Sequence, residues 1–255
     1  MAENPYTPPQ EVGPPPLLRR GWGSTFSVII VTPIVALVLI ALLLPAVRRG
    51  PTRAAREQSC MNDCRLIGLA LQNYHDQYQS FPPAYTVDAN GKPLHSWRTL
   101  LLPFMEQQRL YDSIDLTKPW DDAVNMKAWK SMPRGYCCHD SRNAENLTTY
   151  LAVVVPGSCM QPEKSRSMSE IADGPSSTIL FIEVPKEKGV IWMAPQDADE
   201  ALLLAVGREV QATHGSKIHF VFCDGSCRAL PAKLSVEDRK AMASAAGKDP
   251  WKESH

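Results

Sequence analysis

Two groups of residues in this chain could do chemistry. The first is His214, followed after nine residues by Asp224-Gly225. An imidazole and a carboxylate brought together across a hairpin could hold a ligand or a cation. The plainer reading is a tight turn, in which Asp and Gly supply the backbone conformation a reversal needs and His214 merely starts a strand. His214 and His219 lie five apart, so on one regular strand they face opposite ways and make a poor metal pair. The second group is the seven cysteines: Cys60, Cys64, Cys137, Cys138, Cys159, Cys223 and Cys227. Cys223 and Cys227 bracket the Asp-Gly pair, which suggests a cross-strand disulfide in an oxidising compartment. Cys137-Cys138-His139-Asp140 invites a zinc reading but lacks the paired C-x2-C spacing. Cys60 and Cys64 read as small apolar fillers on a helix face. No metal and no cofactor is expected on these grounds.

Signals of catalysis are weak. There is no G-x-S-x-G elbow, no phosphate-binding glycine loop and no H-E-x-x-H helix. Glu170, Asp173 and Glu183 sit around a turn and a strand, where carboxylates are usually solvated. Cys138 and His139 are adjacent, and neighbours in sequence rarely have the geometry of a nucleophile and its base. The chain is therefore expected not to be an enzyme. Its 255 residues carry a formal net charge of zero, which argues against a bulk nucleic-acid binder.

The elements that would position these residues begin with residues 21–47, which contain no charged side chain. This stretch is long enough for a transmembrane helix, which needs about 20 apolar residues. Pro33 should kink it and Pro45 lies near its far end. Arg48 and Arg49 follow at once, with no clear signal-peptidase site. Residues 1–20 form a proline-rich tail with little to bury. Residues 48–80 read as a helical extension of the anchor. Within it Cys60, Cys64, Ile67, Leu71, Tyr74 and Tyr78 recur at spacings of three and four and so share one stripe. Anchor and extension together would make a rod of roughly 80 Å at about 1.5 Å per residue. Residues 81–255 form the globular part. Thr148–Val155 and Ser177–Val184 read as strands, and Ser96 as the N-cap of a helical stretch that Pro103 interrupts. Ser167 to Glu170 forms a capping-box pattern, and Asp224-Gly225 a two-residue hairpin.

Several of these blocks resemble one bacterial family, the prepilin-like proteins with an H-x9-DG signature (domain of unknown function 1559). The blocks are ALLLPAV at 41–47, TRAAREQSCMNDCRLIGLALQNYHDQYQSFPPAY, HSWRTLLLPFMEQQRLYDSIDLTKPWD, SEIADGPSSTILFIEV, and His214 with Asp224-Gly225. The resemblance implies an α+β, type IV pilin-like fold, with a long N-terminal transmembrane-plus-amphipathic helix packed on a small antiparallel sheet. It implies a single-pass structural or assembly role in a secretion or cell-surface system, with the lipid bilayer and protein neighbours along the helix as partners. The alternative is a membrane-tethered extracytoplasmic ligand- or cation-binding module built on His214 and Asp224. Arg19-Arg20-Gly21 is similar to a prepilin cleavage site, but Phe26 stands where that pattern has Glu, so an uncleaved anchor is expected. Counting arginines alone would keep the body in the cytoplasm. The resemblance places it on the periplasmic side of the inner membrane.

Overall fold

The computed structural model describes residues 30–41, 52–138, 146–162, 164, 166–247 and 251. Residues 1–50 and 51–255 are two separate units. In the first unit, residues 30–41 form helix α1, whose side chains are exposed. Among the described residues no helix is long and apolar enough to cross a membrane. The rest of the expected span (21–29 and 42–47), the proline-rich tail and the junction 48–51 lie outside the described residues.

The second unit opens with α2, Arg53–Tyr78. The Thr52 hydroxyl caps it by accepting the Ala55 N–H at 3.2 Å. The helix closes where Gln79 turns left-handed and donates its N–H to the His75 carbonyl at 2.7 Å, before Phe81-Pro82-Pro83 leads the chain away. The expected stripe is real along most of its length. Cys60, Cys64, Ile67 and Leu71 are fully buried. Tyr74 is half-buried, and Tyr78 is exposed but packs its ring 4.5 Å from that of Tyr74. Since this stripe belongs to the core, α2 is one body with the sheet and no boundary falls at residue 80.

A short hairpin follows, β1 (Tyr85–Val87) with β2 (Pro93–Ser96), and then the helical turns α3 (Trp97–Leu100), α4 (Gln108–Tyr111) and α5 (Met126–Trp129). Ser96 caps α3 by accepting the Arg98 N–H, and Pro103 sits in a 3₁₀ turn between α3 and α4. The apolar run at 148–155 does not form one strand. β3 (Leu147–Thr148) pairs with β6 (Val190–Ile191), while β4 (Tyr150–Ala152) joins the main sheet. That sheet is antiparallel, in the order β4, β5 (Ile179–Glu183), β7 (Lys217–Phe222), β8 (Cys227–Pro231). Helices α6 (Glu200–Ala205) and α7 (Val236–Ala243) complete the described elements.

The sheet is covered on both faces, which explains why β5 is buried at every residue. Leu180 and Phe181 pack with Ile67, Leu71 and Trp97 on the α2 side. Ile179 and Ile182 pack with Leu203 and Met242, from α6 and α7, on the other side. The mixed α+β class with small antiparallel sheets is as expected; α6 has no counterpart in the sequence reading.

The reversal after β7 differs from the expected two-residue loop. Gly225 donates its N–H to the Phe222 carbonyl, and Phe222 donates to the Ser226 carbonyl, both at 2.9 Å. The loop therefore has three residues, Cys223 to Gly225, with Gly225 left-handed at φ 80°. Asp224 holds it by accepting from the Ser226 N–H at 2.9 Å and its hydroxyl at 2.6 Å. The turn lies directly under α2. A Cβ on Gly68 would stand 2.7 Å from the Gly225 carbonyl oxygen, so only glycine allows this approach.

Candidate functional site

Two clusters of buried polar groups stand out in the core. In one, Arg98 is fully buried and all its bonds are internal. Its Nε donates to the Trp192 carbonyl at 2.8 Å, and Nη1 and Nη2 donate to the carbonyls of Tyr150, Ala194 and Gln196. Nη1 also meets Asp197 Oδ1 at 2.7 Å. That oxygen further accepts from Trp97 Nε1 and the Ala152 N–H. Burial pushes the Asp197 carboxyl above the usual carboxylate range, while Arg98 pulls it down. With every Arg98 donor committed to backbone or to Asp197 Oδ1, this pair clamps β4 to the loop after β6.

The second place lies where α2 crosses the sheet. Cys60, from the first half of α2, has its Sγ 2.7 Å from Sγ of Cys138. Cys138 is positioned by its N–H, which donates to the Thr149 hydroxyl at 3.0 Å. Glu183, the last residue of β5, has a side chain only 1% exposed. His219 Nδ1 donates to Glu183 Oε2 at 2.6 Å, and His214 Nε2 donates to Oε1 at 3.1 Å. His214 Nε2 also lies 3.5 Å from Cys138 Sγ. One ligand atom each from Cys60, Cys138, Glu183 and His214 falls within a mutual 4.8 Å, all buried.

Proximity governs the electrostatics here. Burial would raise the Glu183 carboxyl, but the hydrogen bonds from His214 and His219 outweigh it and hold the group at about 2. Burial works against a charged His214, whereas its contacts with Cys60 and Glu183 hold it up at about 10. The Cys138 thiol is pushed far up by its hydrogen bond with Cys60 and by burial. Two thiols, a carboxylate and an imidazole around one point are the donor types of a tetrahedral site for a soft cation.

The sequence reading of these residues is corrected in several respects. His214 and His219 do not face apart: their rings lie 4.8 Å apart on the same carboxylate. The reason is that His214 is not on β7. Gly215, at φ 74°, reverses the chain, and His214 bridges back to Lys217. His214 and Asp224 are not one site, because β7 separates them, and Asp224 bonds to Ser226 in its own turn and pairs with Arg228 on β8. Glu183 is not a solvated carboxylate, and Cys60 is more than a filler. Cys223 and Cys227 are free thiols rather than a disulfide. Cys227 pairs with Val221 across the hairpin, so its thiol turns to Cys64 on α2, while the Cys223 thiol bonds to Cys159. His139 and Asp140 lie outside the described residues.

Glu183 and His219 were missed as partners because they belong to different strands, and only the pairing of β5 with β7 brings them together. The signal available was a carboxylate at the end of an apolar strand, STILFIEV, where a solvated residue would be out of place.

No curated protein and no solved structure matches the chain. Residues 52–156, from the cap of α2 to just past β4, match the family model described as "Protein of unknown function (DUF1559)". That match takes in Cys60 and Cys138 but ends before Glu183, His214 and His219, so the likeness to the DUF1559 family covers less than half of the chain.

Proposed function

We propose that this protein is a single-pass, membrane-anchored, pilin-like structural protein of a bacterial secretion or cell-surface system. On this reading its body lies outside the inner membrane and it is not a catalyst. One observation carries the reading. The helix that follows the apolar segment buries Cys60, Cys64, Ile67 and Leu71 in the core of an antiparallel sheet, with Gly68 seated on the Gly225 carbonyl. α2 is thereby fixed in the head, and a membrane protein of this kind needs a segment on its N-terminal side to hold it to the bilayer. The uncharged residues 21–47 supply that hold, being long enough for a bilayer. On the outward side of the same helix, Leu66 and Leu69 are more than half exposed and give a neighbouring protein apolar ground.

The test combines fractionation with topology. The full chain should stay in the membrane pellet after an alkaline wash. Protease added to intact spheroplasts should digest the body. A photoreactive residue placed at Leu66 should cross-link to a membrane neighbour. Recovery in the soluble fraction, or a body shielded from external protease, contradicts the proposal.

A further inference from the structure

Cys60, Cys138, Glu183 and His214 come from α2, the segment before residue 139, β5 and the turn before β7. Nothing in ordinary packing requires two thiols, a carboxylate and an imidazole to converge from four such distant segments. Buried polar groups are normally matched donor to acceptor. Here the matching is over-subscribed. His214 Nε2 stands within reach of both Glu183 Oε1 and Cys138 Sγ, and its single proton can serve only one of them fully. The two sulfurs, 2.7 Å apart, meet each other as well. A cation between them would satisfy all four donors at once.

We propose that Cys60, Cys138, Glu183 and His214 form a closed, four-ligand site for a thiophilic divalent cation of the zinc type, with His219 holding the carboxylate in place. The donor set decides the class. Two thiolates and an imidazole suit zinc and similar metals, whereas calcium and magnesium take oxygen ligands. All four residues are buried, which suits a site with no open position and hence a structural ion. The His219 Nδ1 proton bonds Glu183 Oε2, leaving Oε1 for the metal, which is the orienting bond that metal-bound carboxylates commonly have. Binding requires the two sulfurs to separate to about 3.8 Å, the edge of a tetrahedron with metal–sulfur bonds of about 2.3 Å. It also releases the two thiol protons and the His214 Nε2 proton to solvent. The ion would tie α2 to the sheet at the crossing described above.

The experiment uses the full chain, purified without added metal or chelator and under anaerobic conditions. Elemental analysis should find one zinc per chain, and replacement by Co²⁺ should give thiolate-to-metal absorption with the visible bands of a tetrahedral ion. Cys138→Ser and His214→Ala should abolish both signals, while Cys137→Ser, one residue away, should keep them. His219→Phe should weaken zinc binding about 10–100-fold with an unchanged circular dichroism spectrum, and His219→Asn, which can still donate, should recover most of it. Should the ligand variants not fold, the unmodified chain still decides. A chelator should lower its melting temperature, and Zn²⁺ but not Mg²⁺ should restore it. The proposal is overturned if the chain carries no metal and its melting temperature ignores zinc. It is equally overturned if peptide mapping finds Cys60 and Cys138 joined in a disulfide, two hydrogens lighter.

Discussion

Gly68→Ala is the sharpest probe of how α2 meets the sheet. In an isolated helix the change is favourable by about 1 kcal/mol, because glycine is a poor helix former. In this protein the new methyl would stand 2.7 Å from the Gly225 carbonyl oxygen and 3.2 Å from Val221 Cγ1. The oxygen belongs to the backbone of a three-residue loop and cannot rotate away. The loop is also pinned to the helix by Gln72, whose Nε2 donates to the Cys223 carbonyl at 2.7 Å. Overpacking of this kind costs about 1–3 kcal/mol, and the upper part of that range applies where no side chain can yield. The net expectation is a loss of about 1–2 kcal/mol, or a melting temperature lower by roughly 2–8 °C for a domain of this size. Thermal unfolding of the full chain, followed by tryptophan fluorescence, measures it. Leu69→Ala, on the exposed side of the same helix, is the control and should stay within about 0.5 kcal/mol. A Gly68→Ala protein as stable as its parent, or more so, would refute the seating of α2 on the hairpin turn.

Other outcomes follow from the buried polar groups. Arg98→Leu leaves Asp197 without its counter-charge and should cost about 3–5 kcal/mol in urea unfolding, far more than removal of an exposed arginine. In chelator, stability should depend on pH through Glu183 and His214. The Glu183 contribution is present above the unfolded value of 4.5 and is lost as pH falls toward about 2. The His214 contribution is present below the unfolded value of 6.5 and is lost as pH rises through about 10. Metal-free stability that climbs between pH 7 and 9 would contradict the His214–Glu183 pairing, whereas the extra stability conferred by zinc should grow over that range, since the ligands bind deprotonated. Asp224→Ala removes both bonds to Ser226 and should cost about 0.5–1.5 kcal/mol while leaving zinc stoichiometry unchanged. A loss of metal in that variant would restore the idea of a shared His214–Asp224 site.

Local signals were readable from the chain wherever they depended on neighbours in sequence. The stripe on α2, the Ser96 and Ser167 caps and the reversal near Gly225 all rest on spacings within about one or two turns. The buried cluster rests on none. Its cysteines are 78 residues apart, and Glu183 reaches His219 only through the register of β5 on β7. The histidine spacing misled because a strand was assumed to run through Gly215, whose positive φ instead folds His214 back. The disulfide expectation failed for a related reason. Adding a third residue to the loop shifts the partner of Cys227 to Val221, and α2 supplies Cys64 as a nearer neighbour.

Hydrogen exchange along α2, in the membrane-embedded full chain, tests most directly whether this helix and the sheet are one body. Amides from Cys60 to Leu71 should exchange as slowly as those of β7, and only with opening of the whole head. Exchange in that segment as fast as in a solvated helix, with β7 still protected, would contradict the account.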